Sequence, residues 1–393
     1  MDIKEIIQNV YTVGVKDIHR SLFDQIMPLS EGTSYNSYLI KGSEKIALID
    51  TVYAPFEPDI EYQLEEMGIT HIDYIVLDHG EPDHTGALPT LLQKYPMAKI
   101  VTNAKCKEIT MALLDLKDTD YLVVGEGQTL SLGDKTLEFH LMPWVHWPDT
   151  MFTYLKEDQL LFTTDFLGAH ATKFDVFWDH DPRIIPLLKS YYAEIMMPFA
   201  GIFKKYLTWI EELNPKMIAP SHGPIYREPS FVLDLYKKWI SEEKQNKVVI
   251  VGVSMYGNTQ KMIDYVSHQL KEKGIEVKYH NAIRLDACDL ACDIVDCMGV
   301  IIATPTVVFG PHPAVMAPLF LVNMLKPNLR YFGLMGSYGW GTKIMEQITT
   351  LLTNMKQIPF LTPVLIKGGP KEDDFRMLDT LMTHIVQKHH EQV

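Results

Sequence analysis

His79-Gly80-Glu81-Pro82-Asp83-His84 is the stretch on which the reading of this chain turns. It follows the apolar run Tyr74-Ile75-Val76-Leu77-Asp78, which reads as a buried strand, and precedes Thr85-Gly86-Ala87-Leu88, which reads as the start of a helix. Four metal-competent side chains in six positions, at the carboxyl end of a strand, lie where an α/β fold places its chemistry. Adjacent Asp83 and His84 can reach where the alternate pair His79 and Glu81 does not, so one short loop can serve two ions.

Three later residues repeat this context of an apolar strand beside a turn signal. His146 sits in Trp144-Val145-His146-Trp147-Pro148-Asp149, Asp165 ends Phe162-Thr163-Thr164-Asp165, and His222 sits in Ser221-His222-Gly223. The seven candidates are four imidazoles and three carboxylates. A carboxylate has two oxygens and can bridge two cations, which makes Asp165 the natural bridge. His79, Glu81 and His146 are assigned to one metal, and Asp83, His84 and His222 to the other. His170 is expected to line the cavity or support a ligand, and His19 to approach it through a folded N-terminal meander; the other histidines are expected to be structural or solvated.

This chain order and strand-end placement resemble the metallo-β-lactamase fold, a four-layer αββα sandwich. Zinc hydrolases of that fold carry H-x-H-x-D-H. Here Glu81 replaces the second histidine and moves the donor set towards harder, anionic oxygen, which suits redox-active iron, although affinity order alone does not choose the metal. The alternative reading is a dinuclear zinc hydrolase of metallo-β-lactamase type fused to a flavodoxin domain, with activity on esters or amides and no flavin turnover.

The length of 393 residues exceeds one ordinary core, so two domains are expected. Hydrophobic residues at 47% and charged residues at 22% describe a globular protein. A net charge of −14 argues against a nucleic-acid binder, which needs clustered Lys and Arg. Met1-Asp2-Ile3-Lys4-Glu5 carries no signal-peptide pattern, and no apolar run approaches the roughly 20 residues of a membrane span. Cys106, Cys288, Cys292 and Cys297 form no C-x-x-C pair, which disfavours a structural zinc or tetra-cysteine iron site. A reduced, cytoplasmic protein is expected.

Strands at 38–40 and 45–50 open an α/β rhythm: helix 57–67, strand 74–78, helix 86–95, strand 98–102 and helix 105–115. Strands at 121–124, 136–142, 151–154 and 159–163 follow, then helical spacing over 185–213, a strand at 217–220 and a helix at 229–240. The polar stretch Ser241-Glu242-Glu243-Lys244-Gln245-Asn246 marks the boundary between domains 1–245 and 246–393. Beyond it, strands at 248–252, 276–279, 299–303, 331–335 and 362–366 alternate with helices, the pattern of a small doubly wound parallel sheet.

Ser254-Met255-Tyr256-Gly257-Asn258-Thr259 follows the first of these strands and opens a helix, so its hydroxyls and backbone N–H groups form a cradle for a phosphate. It matches neither the Walker pattern nor G-x-G-x-x-G. Thr304-Pro305-Thr306-Val307-Val308-Phe309-Gly310 and Gly336-Ser337-Tyr338-Gly339-Trp340-Gly341 follow the third and fourth strands at the same sheet edge. The arrangement resembles flavodoxin, which binds FMN in that crevice. By that resemblance residues 254–259 hold the phosphate, while Pro305, Thr306, Val307 and Gly310 with Ser337, Tyr338, Gly339 and Trp340 border the isoalloxazine.

A metallo-β-lactamase-like domain with H-x-E-x-D-H followed by a flavodoxin-like domain resembles the flavodiiron proteins, the A-type flavoproteins. The resemblance covers essentially the whole chain, and His146-Trp147-Pro148-Asp149 adds to it. It implies a non-haem diiron centre that reduces dioxygen to water, nitric oxide to nitrous oxide, or both, with FMN relaying electrons. It further implies that a chain's own flavin lies far from its own metals, which a head-to-tail homodimer, or a dimer of dimers, solves. No rubredoxin-like cysteine module is appended, so an external donor is expected, either rubredoxin or a reduced deazaflavin coenzyme. Within the resemblance His84 does not bind iron in every member.

Overall fold

The computed structural model describes residues 2–391 and divides into two compact units, Met1–Lys237 and Lys238–Val393. In the first unit, strand alternation builds two large sheets, beside two small two-stranded ones. The strands Tyr38–Lys41, Ile46–Ile49, Tyr74–Val76 and Lys99–Thr102 lie in a seven-stranded sheet, flanked by Lys4–Ile7 and Val10–Thr12 at one edge and Tyr121–Val123 at the other. Thr129–Ser131, Thr136–Leu141, Met151–Leu155, Leu160–Thr164 and Met217–Pro220 form a five-stranded sheet.

Because successive strand residues point to opposite faces, each strand feeds two cores. Tyr38, Ile40, Ala47, Ile49 and Val76 meet Leu137, Phe139, Leu155, Leu160 and Phe162 between the sheets. Their neighbours Leu39, Leu48, Ile75 and Leu77 turn the other way onto Ile60 and Leu64 of the helix Glu57–Glu66 and Leu88 and Leu91 of the helix Leu88–Lys94. Over the five-stranded sheet, Phe166 packs edge-on against Phe203 and Tyr236 of the helices Ala200–Leu213 and Pro229–Ile240. Helices therefore cover the outer face of each sheet.

The helical spacing over 185–213 is real but interrupted. Ile184–Tyr191 runs into a wider π turn, Tyr192–Met196, and a 3₁₀ turn at Met197–Phe199 before Ala200–Leu213. Pro198 is the physical reason, since it cannot donate an N–H and its ring crowds the carbonyl four residues earlier.

In the second unit a parallel sheet takes the order Glu276–Asn281, Lys247–Gly252, Gly299–Val307, Tyr331–Tyr338, Val364–Lys367. Val248, Ile250, Ile301, Ala303 and Met335 pack one face against Met262, Ile263 and Val266 of the helix Asn258–Glu272 and Leu378, Leu381 and Ile385 of the helix Glu372–His390. The two central strands run longer than their apolar cores: Pro305, Thr306 and Val307 are still strand, as are Ser337 and Tyr338. A tight hairpin turns at Val308 and Phe309, both at positive φ, and returns at Gly310.

Candidate metal centre

Pro82 occupies the first position of a short helix, Pro82–Thr85, where its missing N–H costs nothing. The turn swings Asp83 and His84 away from His79 and Glu81. Thr51 donates both its backbone N–H and its hydroxyl to the His84 carbonyl, each at 2.7 Å, tying the loop to the neighbouring strand.

The seven predicted side chains converge as two groups. His79 Nε2 lies 3.1 Å from Glu81 Oε2 and 3.3 Å from Asp165 Oδ2, and His146 Nε2 lies 3.2 and 3.4 Å from the same two oxygens. On the other side, His84 Nε2 and His222 Nε2 each lie 3.1 Å from Asp165 Oδ1. They lie 3.4 Å from Asp83 Oδ1 and Oδ2 respectively. Asp165 thus turns one oxygen to each group. Two donors roughly 2.1 Å from one ion sit about 3.0–3.4 Å apart at near-tetrahedral or octahedral angles. His222 Nε2, Asp165 Oδ2 and both Asp83 oxygens are buried without a hydrogen-bond partner. Donor atoms gathered this closely in two groups, several of them without a hydrogen-bond partner, fit two cations.

Further contacts orient these donors. Asp149 Oδ2 accepts from Gly80 N at 2.7 Å and lies 3.3 Å from His79 Nδ1, while His222 Nδ1 donates to the Ser34 carbonyl at 2.5 Å. Such contacts fix the tautomer that leaves Nε2 bare. The Tyr191 hydroxyl donates to Asp165 Oδ1 at 3.1 Å. Beneath the loop, Asp78 N donates to Asp50 Oδ1 at 2.9 Å, and burial raises both carboxyls.

Burial drives the His146 imidazole down, but the close carboxylates of Asp165 and Glu81 outweigh it and raise it to about 9. Burial is likewise outweighed at His222 by Asp165 and Asp83, to about 10. Burial pushes the Asp165 carboxyl up, but the charge of His84 and the close imidazoles of His146 and His222 hold it well below the carboxylate range. Asp83 is lowered in the same way by His84 and His222 against its own burial.

His170 joins neither group. It is buried beside His222, with Nδ1 2.8 Å from the Thr33 hydroxyl and Nε2 without a partner, and burial holds it well below the usual imidazole range. His19 is exposed and joins neither group. Sequence reasoning assigned no role to Asp149, Asp50 or Tyr191. Asp149 lies three residues beyond His146, and Asp50 ends an apolar strand as Asp165 does, so both carried a signal.

In the second unit, Gly257 lies at φ +85 with open space where a Cβ would be, ahead of a helix whose first turn has no side-chain cap. Ser254 Oγ accepts from Gly257 N at 3.1 Å, and the Thr259 hydroxyl lies 3.1 Å from that of Ser337, joining the first and third predicted loops. Uncapped N–H groups beside two hydroxyls suit a phosphate. Tyr256 is 90% and Trp340 79% exposed, two rings able to stack on a flat ligand. Thr306 donates to the Thr342 hydroxyl at 3.0 Å, drawing the second loop to the segment after Trp340. A Cβ on Gly369 would lie 2.9 Å from Asn258 Oδ1, so the turn after the last strand also reaches the cradle, which sequence reasoning did not foresee.

Comparison with known proteins follows the same division. Residues 33–223 match a family described as ODP family beta lactamase. A flavo-diiron protein from Clostridium acetobutylicum is 31% identical over 387 residues, covering 95% of this chain and 96% of the relative. A nitric oxide reductase from Moorella thermoacetica is 34% identical over 353 residues, covering 87% and 88%. Among solved structures, the rubredoxin oxygen:oxidoreductase from Desulfovibrio gigas superposes with a TM-score of 0.93 at 29% identity, covering 100% of this chain and 99% of that one.

Proposed function

The chain belongs to the flavodiiron protein family, and from that premise we propose that this oxidoreductase reduces dioxygen to water, nitric oxide to nitrous oxide, or both. Its fold is a metallo-β-lactamase-like sandwich followed by a flavodoxin-like sheet, and its cofactors are a diiron centre and FMN. We assign the diiron domain to residues 1–245 and the FMN domain to residues 246–393.

The observation that carries the reading is Asp165, with one oxygen facing His79, Glu81 and His146 and the other facing Asp83, His84 and His222. When bound, the irons supply electrons and Lewis acidity, and the flavin supplies electrons singly. The chain's own residues do the rest. Four imidazoles, held at Nδ1 in His79 and His222, turn their Nε2 atoms towards the carboxylates, where a bound cation would displace a proton. Glu81, Asp83 and His146 keep slight exposure while the other ligands are sealed, so substrate enters over these three. Phe23, against His170 and His222, excludes water from one wall. The Tyr191 hydroxyl, kept protonated by burial and the Asp165 charge, holds its proton at Asp165 Oδ1 and fixes that carboxylate between the two groups. Ser254, Met255, Tyr256, Gly257, Asn258 and Thr259 hold the flavin phosphate. Pro305, Thr306, Val307 and Gly310 line the ring on one side, and Ser337, Tyr338, Gly339 and Trp340 line it on the other.

Exposed apolar side chains flank each site: Ile18, Leu22, Ile26 and Trp144 beside the metal pocket, and Met255, Tyr256, Val308, Phe309 and Trp340 beside the cradle. Two such patches support a head-to-tail homodimer, or a dimer of dimers, in which each covers the other. Electrons come from an external donor, rubredoxin or a reduced deazaflavin coenzyme. No helix among the described residues is long and apolar enough to cross a membrane. We place the protein in the cytoplasm.

Stopped-flow mixing of the reduced, metal-quantified protein with dioxygen and with nitric oxide tests the proposal. Two irons and one FMN per chain with rapid reoxidation by either gas support it, and the faster gas names the substrate. Two zincs without gas-driven turnover would replace it with a hydrolase.

A further inference from the structure

Beside the metal pocket, five side chains close a circuit. The Arg20 guanidinium carbon lies 5.6 Å from the Phe23 ring centre and 5.1 Å from that of Tyr53. Tyr53 lies 5.8 Å from Tyr35, and Tyr35 lies 5.9 Å from His222. Phe23 completes the circuit at 6.2 Å from His222. Arg20 is therefore one ring from His222 by way of Phe23 and two rings from it by way of Tyr53 and Tyr35.

Two polar atoms in this circuit stand out. Arg20 Nε and Tyr35 Oη are both buried and neither has a hydrogen-bond partner. Buried donors of this kind are nearly always satisfied, by water or by a ligand where the protein supplies nothing. Asp17, Asp24 and Asp83 act on this corner through their charge, yet no carboxylate among the described residues comes within ion-pair distance of Arg20. A water could accept both hydrogen bonds, but with these carboxylates acting only from beyond ion-pair distance it would leave the guanidinium without a counter-charge in contact. With two divalent cations set against the carboxylates of Glu81, Asp83 and Asp165, the neighbouring site adds positive charge rather than removing it.

We propose that Arg20 and Tyr35 form a subsite for a small monovalent oxyanion, of the size of formate or nitrite, flanking the metal pocket. A guanidinium presents donors that match the planar oxygens of such an anion, and a phenol beside it adds a third. The stacking of Arg20 between Phe23 and Tyr53 holds the fork in place before the anion arrives, so little side-chain freedom is lost on binding. The anion shares its walls, Phe23 and Tyr35, with His222, which makes the subsite an effector or inhibitor position beside the metals.

The test is isothermal titration of the full-length, flavin-containing protein with sodium formate and with sodium nitrite, at constant ionic strength in chloride. It is run on the metal-loaded protein and again after chelation. Saturable binding in both forms is expected, weakened about tenfold or more in Arg20→Met, which keeps the stem between the rings but lacks the donors. Arg20→Lys, which keeps charge without the fork, should fall between, and Tyr35→Phe should weaken binding a few-fold. Circular dichroism establishes that each variant is folded; should Arg20→Met not fold, Arg20→Lys and Tyr35→Phe decide. Absence of binding in both forms overturns the proposal. So does binding confined to the metal-loaded protein and indifferent to the Arg20 and Tyr35 variants, which would put the anion on the metals. No turnover is read, so failure here leaves the proposed gas reduction standing.

Discussion

Asp165 is the residue on which both ligand groups depend, because its two oxygens face different groups. Asp165→Asn keeps the volume but removes the charge and one bridging oxygen. It should lower bound iron from two per chain to one or fewer and cut gas reduction by about 100-fold or more. Full iron content in that variant, measured by elemental analysis, would contradict the assignment. The same residues set a pH dependence. In the metal-free protein His146 and His222 titrate at about 9 and about 10, above the ordinary 6.5. Their contribution to stability is therefore complete below about pH 6.5 and is lost as pH rises through 9 to 10. Asp83 and Asp165, lowered instead, contribute above about pH 4 and lose that contribution as pH falls. Metal binding displaces the imidazole protons and should remove the alkaline loss. Melting temperature followed against pH should fall from pH 7 to 10 in the stripped protein and stay level in the loaded one; parallel curves would refute this.

At the scale of elements, the proposed phosphate cradle rests on a strand-to-helix turn that holds Gly257 at φ +85. A Cβ there would touch nothing, so a larger residue costs backbone strain rather than a clash, about 1–2 kcal/mol. Gly257→Val should raise the FMN dissociation constant about tenfold, read from the fluorescence of released flavin, with iron content unchanged. An unchanged constant would place the phosphate elsewhere. Elements with enough residues to express a period were legible: Ile46–Ile49, Leu160–Thr164 and Lys247–Gly252 declare themselves by apolar runs. The pair Leu22–Phe23 and Met27–Pro28 did not, because two-residue strands have no alternation to read, and their turn at Asp24 and Gln25 carries no glycine to betray its positive φ. That hairpin brings Phe23 onto His170 and His222, so a wall of the pocket was hidden.

Across the whole molecule, the exposed apolar patches are the feature that a lone chain does not explain. Ile26→Glu places a charge in the patch beside the metal pocket, at a residue 55% exposed and outside both ligand groups. It should convert the proposed dimer to a monomer in light scattering, leave iron and FMN content intact, and slow turnover about tenfold or more at low protein concentration. A variant that stays dimeric and active would remove this patch from the interface. The two-part architecture was legible because hydrophobic rhythm changes along the chain, from mixed strands to a plain strand–helix alternation. The seven side chains that gather as two groups were legible because they lie in the loops and turns that follow apolar strands. What supports them was less so: Tyr191 sits in a helix among apolar residues, and Ser34 acts through its backbone carbonyl, which no side chain announces.

The clamping of the ligand segments has a kinetic side. Thr51 N is held by the His84 carbonyl, Met151 N by that of Asp78, Ser221 N by that of Thr164, and Asn36 N by that of Ser221. These bonds lace the ligand-bearing segments to one another and to both sheets, so no ligand can swing out by fraying alone. Deuterium should enter these four amides only through openings that break the sandwich itself, and a captured ion should leave on that same slow clock.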